Sequence, residues 1–230
     1  MKLRSSFLVQ IVCTTLIALA LPLQAQNSDT LESVATRSIS NLIVAPNLDG
    51  KLDEWQKMYT FSSTANTKKS HKNNRLDWQK AWLAHDKENL YIAYSNQGRI
   101  PKNDWWAWEM YLDTDHNPNT GYREFNNIGA EYLLQGNELY QYIGTDKAKK
   151  DWDKNWQYIG YAHGQINEKT GMSVELSIPI KWLNLNPNES SHVHVLFYGD
   201  NEAFGGEGED FHRSAEGYFA YHIPPIQKKG

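Results

Sequence analysis

Residues 104–124 read DWWAWEMYLDTDHNPNTGYRE, and the rest of the chain is interpreted outward from them. The first half, from Asp104 to Asp113, is dense in aromatic and apolar residues and reads as a strand. On the two-residue period of a pleated strand, Trp106, Trp108, Met110 and Leu112 share one face. Trp105, Ala107, Glu109, Tyr111 and Asp113 share the other. The first face is expected to be buried. The second mixes aromatic with acidic residues, as a binding face or a partly covered sheet does. The second half, Thr114 to Glu124, is a turn crowded with oxygen-bearing side chains.

Asp113, Asp115 and Asn117 sit at i, i+2 and i+4 and place three oxygens on one side of an open turn. A hard cation such as calcium takes about six to eight oxygens at about 2.3–2.6 Å, drawn from side chains and backbone carbonyls. Asn119 supplies a carbonyl at the next alternate position. Glu124 lies eleven residues after Asp113, where an EF-hand places its bidentate glutamate. Pro118 occupies the sixth position, where an EF-hand needs glycine, and no helices flank the loop. The expectation is a strand-to-loop calcium site with EF-like spacing. The competing reading is an acidic turn closed by Asx hydrogen bonds without an ion. His116 falls between ligand positions and is expected to face solvent.

Outward from this segment the chain reads as a succession of short strands. Leu42–Val44 is a short strand, followed by a turn at Asp49-Gly50 and a helical turn from Asp53 around Trp55. Ala81–His85 and Leu90–Ser95 flank a four-residue polar turn as a hairpin. Gly129–Leu134 and Leu139–Ile143 form another, through Gln135–Glu138. Trp156–Tyr161 follows a charged loop, Lys147–Lys154, that contains Trp152. Val174, Leu176 and Ile178 alternate with Ser173, Glu175 and Ser177, which predicts a half-buried strand. Pro179 ends it, and Ile180–Leu183 makes one helical turn. Val193–Tyr198 and Gly217–His222 are the last strands, separated by a Gly- and Glu-rich loop over Asn201–Glu209. About ten short strands and no long helix predict an all-β fold, a two-sheet antiparallel β-sandwich of jelly-roll or Ig-like type.

The 230 residues suit one main domain with a sizeable core. A net charge of -4, with both signs interspersed, points away from a nucleic-acid partner. Residues 1–25 carry Lys2 and Arg4 before an apolar run from Phe7 to Leu21, with Leu23-Gln24-Ala25 as a cleavage site. That pattern predicts a secretory signal peptide. Cys13, the single cysteine, lies within it, so a secreted or periplasmic mature chain would fold without disulfides. No other apolar run is long enough to span a bilayer. Residues 26–40 read as a polar N-terminal arm, leaving 41–230 as the sandwich domain. Asn66 to Asp77 is polar and basic, a solvated loop or, less simply, a rim for an acidic polysaccharide.

Three motifs carry a resemblance. Leu48-Asp-Gly-Lys-Leu-Asp-Glu-Trp55, His85-Asp-Lys-Glu-Asn-Leu-Tyr-Ile-Ala93 and Leu112-Asp-Thr-Asp-His-Asn-Pro-Asn-Thr-Gly-Tyr122 resemble the opening turn, the second hairpin and the acidic loop of family 9 carbohydrate-binding modules and their DOMON-related relatives. The likeness runs from about Leu42 to Tyr221. It implies a sandwich that binds a poly- or oligosaccharide between stacking aromatic rings, and a possible partner enzyme.

Nine Trp and 13 Tyr supply such rings in abundance, although core packing accounts for many of them. Trp105, by its parity with Glu109 and Tyr111, and Trp152, an aromatic in a charged loop, are the ring candidates. Tyr122 and Arg123 follow the acidic loop and are positioned by it; Arg123 suits paired hydrogen bonds to vicinal hydroxyls. A polysaccharide-degrading enzyme is the rival. Glu109, Glu131, Glu175, Glu207, Glu209 and Asp210 are available carboxylates, but no motif selects a pair, and no GxSxG or HExxH pattern is present. His192 and His194 could form half of a zinc site with no third ligand indicated. Haem binding, known among relatives of this sandwich, would draw on Met110 and the histidines.

Overall fold

The computed structural model describes residues 45–58, 60–61, 78–96, 106–123, 128–144, 152–167, 170, 172–186, 189–200, 209–212 and 218–225. Within them, twelve strands, numbered in chain order, form two antiparallel sheets. The smaller sheet runs β1 (Thr60–Phe61), β2 (Trp78–His85), β3 (Asn89–Asn96), β9 (Ser173–Pro179), β8 (His163–Ile166) in spatial order. The larger runs β11 (Glu209–His212), β10 (Ser191–Asp200), β4 (Trp108–Asp113), β5 (Tyr132–Gln135), β6 (Glu138–Tyr142), β7 (Trp156–Tyr161). The seventh strand of that sheet, β12 (Phe219–Ile223), shares an edge of β10 with β11, pairing over Ser191–Val195 while β11 pairs over Phe197–Asp200. The expected all-β, two-sheet antiparallel sandwich is the observed fold.

The interior between the sheets follows the two-residue period. Trp108, Met110 and Leu112 of β4 meet Leu90, Ile92 and Tyr94 of β3, Val174, Leu176 and Ile178 of β9, and Val193, Val195 and Phe197 of β10 in one cluster. Tyr94 and Trp108 contact edge to face, with ring centroids 4.8 Å apart. Two polar groups enter this interior as a pair: His85 Nδ1 and the Tyr221 hydroxyl are 2.8 Å apart. Burial, with His222 nearby, pushes the His85 imidazole down to about 4, so it is neutral near pH 7. Met110, a ligand in the haem reading, is packed into this apolar interior.

The first two motifs have local physical explanations. In the β2–β3 turn, Asp86 Oδ1 accepts the backbone N–H groups of Glu88 and Asn89, each at 2.7 Å. Its Oδ2 accepts the Tyr91 hydroxyl at 2.6 Å, so one aspartate closes the hairpin and anchors a strand residue. The segment Leu48–Trp55 lies on the outer face of the smaller sheet. There Trp55 is buried with Trp82, Ala84, Tyr91 and Ala93. Glu175, on β9, reaches out to it: Oε1 accepts Trp55 Nε1–H at 2.5 Å and Oε2 accepts the Gly50 N–H. Ser173 Oγ donates to the Gly50 carbonyl at 2.9 Å. Gly50 has φ +82°, and an added Cβ would stand 2.8 Å from Asn167 N, so glycine is required there.

Several expectations need correction. Ser173–Ile178 is buried on both faces rather than one, because the Leu48–Trp55 segment covers the side that its Ser and Glu residues occupy. The strand expected from Asp104 starts at Trp108; Trp106 and Ala107 form a 3-10 turn, and Trp106 is exposed. β8 was not anticipated, and β11 begins where a loop was expected. The 3-10 turns Glu54–Lys57 and Ile180–Leu183 match the two helical turns read from the sequence. Residues 1–40, the strand at 42–44, Trp105 and Glu124 lie outside the described residues.

Candidate functional site

The loop after β4 folds back on itself through a short bridge. Tyr122 N–H donates to the Ala130 carbonyl at 2.8 Å, and Ala130 N–H donates to the Tyr122 carbonyl at 3.0 Å. This bridge brings Glu131 beside the start of the loop. Asp113, Asp115 and Glu131 then each offer an oxygen, all within 4.8 Å of one another. Close packing enforces the arrangement. A Cβ on Gly129 would lie 2.4 Å from the Asn117 carbonyl oxygen and 2.5 Å from that of Thr120.

Hydrogen bonds occupy much of the cluster but not all of it. Asp113 Oδ1 accepts the His116 N–H at 2.7 Å. Asp115 Oδ1 accepts the Asn117 N–H at 2.8 Å, and the Thr120 hydroxyl sits 2.9 Å from Asp115 Oδ2. Glu131 Oε2 accepts the Thr114 N–H at 2.8 Å. Asn117 Oδ1 accepts the Asn119 N–H at 3.1 Å, so these two residues form an Asx turn at the loop apex. Asp113 Oδ2 is buried without a hydrogen-bond partner, with His194 Nδ1 3.4 Å away. Burial pushes the Glu131 carboxyl above its usual range; the Thr114 N–H opposes this, and the charges of Asp115 and Asp113 add to it. Three acidic groups at this spacing, one with a buried oxygen that lacks a hydrogen-bond partner, offer the oxygen ligands that a hard divalent cation takes.

Beside the acidic cluster, across the β4–β10–β12 ladder, lies a row of histidines. His116 stacks on His194 with centroids 4.4 Å apart, and His192 stacks on His222 at 4.6 Å. His116 Nε2 also bonds the His192 carbonyl, so its ring lies against the sheet while partly open to solvent. Among the described residues, the three-membered group of converging ligand atoms is the carboxylate one; His192 and His194 join no such group.

The end of the acidic loop delivers Tyr122 onto the outer face of the larger sheet. Its ring stacks on Tyr111 at 5.7 Å and 12° and lies 5.2 Å from Trp156. Tyr111, a ring candidate from the sequence, is only 4 % exposed and sits beneath this layer, 6.3 Å from both Trp156 and Tyr198. Its hydroxyl donates to Glu109 Oε2 at 2.5 Å, and Gln135 Nε2 donates to Glu109 Oε1 at 2.8 Å. Arg123 is exposed at the rim of the loop.

Further along the same face the rings open to solvent. Trp152, in a one-turn helix (Trp152–Asn155), is 41 % exposed and 5.7 Å from Tyr140. Tyr140 is 5.8 Å from Tyr158, and Tyr158 is 5.4 Å from Tyr161. Tyr158 and Tyr161 are 46 % and 61 % exposed. Residues three apart on a regular strand face opposite ways, but the β6–β7 ladder shifts register between Leu139 and Tyr140. The extra residue restores both tyrosines to one side. Neither tyrosine was among the sequence-derived site residues; Gly160, a glycine within a strand, was the available signal for the irregularity.

Of the carboxylates considered for catalysis, Glu207 lies outside the described residues, and Glu109, Glu131 and Glu175 are held in separate places. Glu109 is bonded on the aromatic face, Glu131 belongs to the acidic cluster, and Glu175 is sealed under the opposite face by Trp55. Among the described residues, no helix is long and apolar enough to cross a membrane.

No protein-family model matches the chain, and no curated protein matches it. Among solved structures, the chain is similar to a carbohydrate-binding module of family 9 from Caldicellulosiruptor kristjanssonii in complex with glucose. The identity is 14 %, the match covers 81 % of this chain and 93 % of that one, and the TM-score is 0.42. A likeness of that size carries no argument about ligand, and the comparisons lend no support to a DOMON relationship.

Proposed function

We propose that this chain is an exported, non-catalytic carbohydrate-binding protein of the family 9 module type, with a structural calcium ion in the loop from Asp113 to Glu131. It holds sugar by ring stacking and polar contacts on the outer face of the larger sheet. The observation that carries this reading is the run of rings Trp152, Tyr140, Tyr158 and Tyr161, in which Tyr140 is half-buried and the other three leave large aromatic surface in water on a folded sheet. Tyrosine and tryptophan present an apolar face to sugar C–H groups and a polar edge to hydroxyls.

Calcium would be held by Asp113, Asp115 and Glu131, with carbonyls of the loop, and Asn117, Asn119 or Glu124 completing its shell. The buried Asp113 Oδ2, which has no hydrogen-bond partner, supports that reading. The ion would offset repulsion among the carboxylates and hold the Tyr122 bridge, and through it one corner of the aromatic layer. A secreted or periplasmic module of this kind would work beside a partner enzyme on the same polysaccharide.

A glycan-array screen of the mature chain in calcium, reading bound glycan and depolymerised product together, tests the function. Binding without product, lost in Trp152→Ala, is the expected result. Product formation would overturn the non-catalytic reading, and binding unaffected by Trp152→Ala would move the site off this face. Elemental analysis after dialysis tests the metal, with stoichiometric calcium lost in Asp113→Asn expected.

A further inference from the structure

The exposed rings of Trp152, Tyr158 and Tyr161, with the half-buried Tyr140 between them, form a series rather than a clamp. From Trp152 the steps to Tyr140, Tyr158 and Tyr161 are 5.7, 5.8 and 5.4 Å between centroids. One sugar ring cannot cover four such rings. The β6–β7 register shift is what extends the series, because without it Tyr158 and Tyr161 would lie on opposite faces. Tyr161, at the end of the series, is the most exposed of the four at 61 %, so a ligand can continue past it.

Ring orientation narrows the ligand further. Successive rings are inclined by 78°, 68° and 65°. They share no plane, so a flat crystalline polysaccharide face could not rest on all of them together. A single chain whose successive sugars turn relative to one another can present a C–H face to each. The polar fringe suits the same ligand. Glu138, opposite Tyr161 in the β6–β7 ladder, accepts the Tyr140 hydroxyl, and Glu109 and Gln135 are joined nearby on the next two strands. These groups would bond sugar hydroxyls, whereas a hydrophobic protein partner would remove them from water without offering them partners.

Building on the carbohydrate reading above, we propose that Trp152, Tyr140, Tyr158 and Tyr161 form consecutive subsites for an internal stretch of one soluble glycan chain, about three to four sugars long. Neither a chain end nor a crystal surface is the recognised feature.

The test is calorimetric titration of the mature chain with neutral oligosaccharide ladders of the glucan, xylan and mannan series, from monosaccharide to hexasaccharide. Each is used native and with its reducing end converted to the alditol, and retention on crystalline cellulose is measured in parallel. Affinity should rise about tenfold or more from disaccharide to tetrasaccharide, then level off, and be indifferent to reduction of the end sugar. Tyr161→Ala should weaken tetrasaccharide binding more than disaccharide binding, with an unchanged melting curve. Equal affinity for short and long ladders, or loss of binding on reduction, would overturn the internal-chain proposal while leaving sugar binding in place. Retention on crystalline cellulose without soluble binding would overturn it in favour of a surface binder. No binding to any ladder or to cellulose would remove both the proposal and the carbohydrate reading beneath it.

Discussion

The two outer faces of the sandwich are treated in opposite ways. On the smaller sheet, Trp82, Ala84, Tyr91 and Ala93 are roofed by Trp55, and the roof is fastened by a buried carboxylate. On the larger sheet, an aromatic layer of similar chemical character is roofed only in part by Tyr122, and its far end stays open. The first face is finished by the chain itself. The second is left partly open, with Trp152, Tyr158 and Tyr161 exposed. Aromatic content alone could not tell these faces apart, since a buried tryptophan and a ligand-stacking one are the same residue until the covering segment is placed.

The comparison can be broken most strongly at Glu175. Replacing it with Ala leaves the buried donors Trp55 Nε1 and Gly50 N–H without an acceptor, and urea unfolding should show a loss of about 3 kcal/mol. Glycan binding on the other face should be retained at temperatures where the variant is folded. A loss of binding equal to the loss of stability would show that the faces are not independent.

Next in size is calcium. If the ion occupies the acidic loop, saturating it at about a hundredfold over its dissociation constant adds about 2.7 kcal/mol. Chelation should lower the melting temperature of the wild type and leave that of Asp113→Asn unmoved. No shift on chelation would leave the loop as an Asx-bonded turn.

A pH dependence follows from the closed face. Burial pushes the Glu175 carboxyl from 4.5 up to about 7, against the pull of its two donors and with the charges of Glu54 and Asp49 adding to the rise. The folded chain therefore binds this proton more tightly than the unfolded chain does. Stability contributed by the protonated group is present below pH 4.5 and declines as pH rises through about 7. Melting curves across that range should show the decline, and Glu175→Gln should flatten it.

The smallest effect on stability and the sharpest on function belong to the open face. Tyr161→Ala should change unfolding free energy by less than about 0.5 kcal/mol. Its effect on tetrasaccharide affinity should be about tenfold.

What could be read from the sequence was what local chemistry decides. The Asp86 turn, the turn at Asp49-Gly50, the alternation in β4 and the strand at Val193–Tyr198 are set by residues a few positions apart, and they stand where expected. Asp113 and Asp115 were legible for the same reason. Glu131 was not, because it reaches the cluster through the Tyr122–Ala130 bridge, and counting along the chain pointed to Glu124. β8, reading His-Gly-Gln-Ile, carries almost no apolar alternation and is a strand because β9 pairs with it. Likewise, the polar side of β9 looked solvent-facing because nothing local shows that a segment more than a hundred residues earlier covers it. The aromatic series was hidden by the register shift, which reverses the parity from which Tyr158 and Tyr161 would be sorted.

The bond from Trp55 to Glu175 also bears on the order of events in synthesis. The two residues are 120 positions apart. A chain emerging from its N-terminus presents Trp55 before its acceptor has been made, and before β9, on which that acceptor sits, can pair with β3. Closure of the smaller sheet's outer face is therefore a late, long-range step.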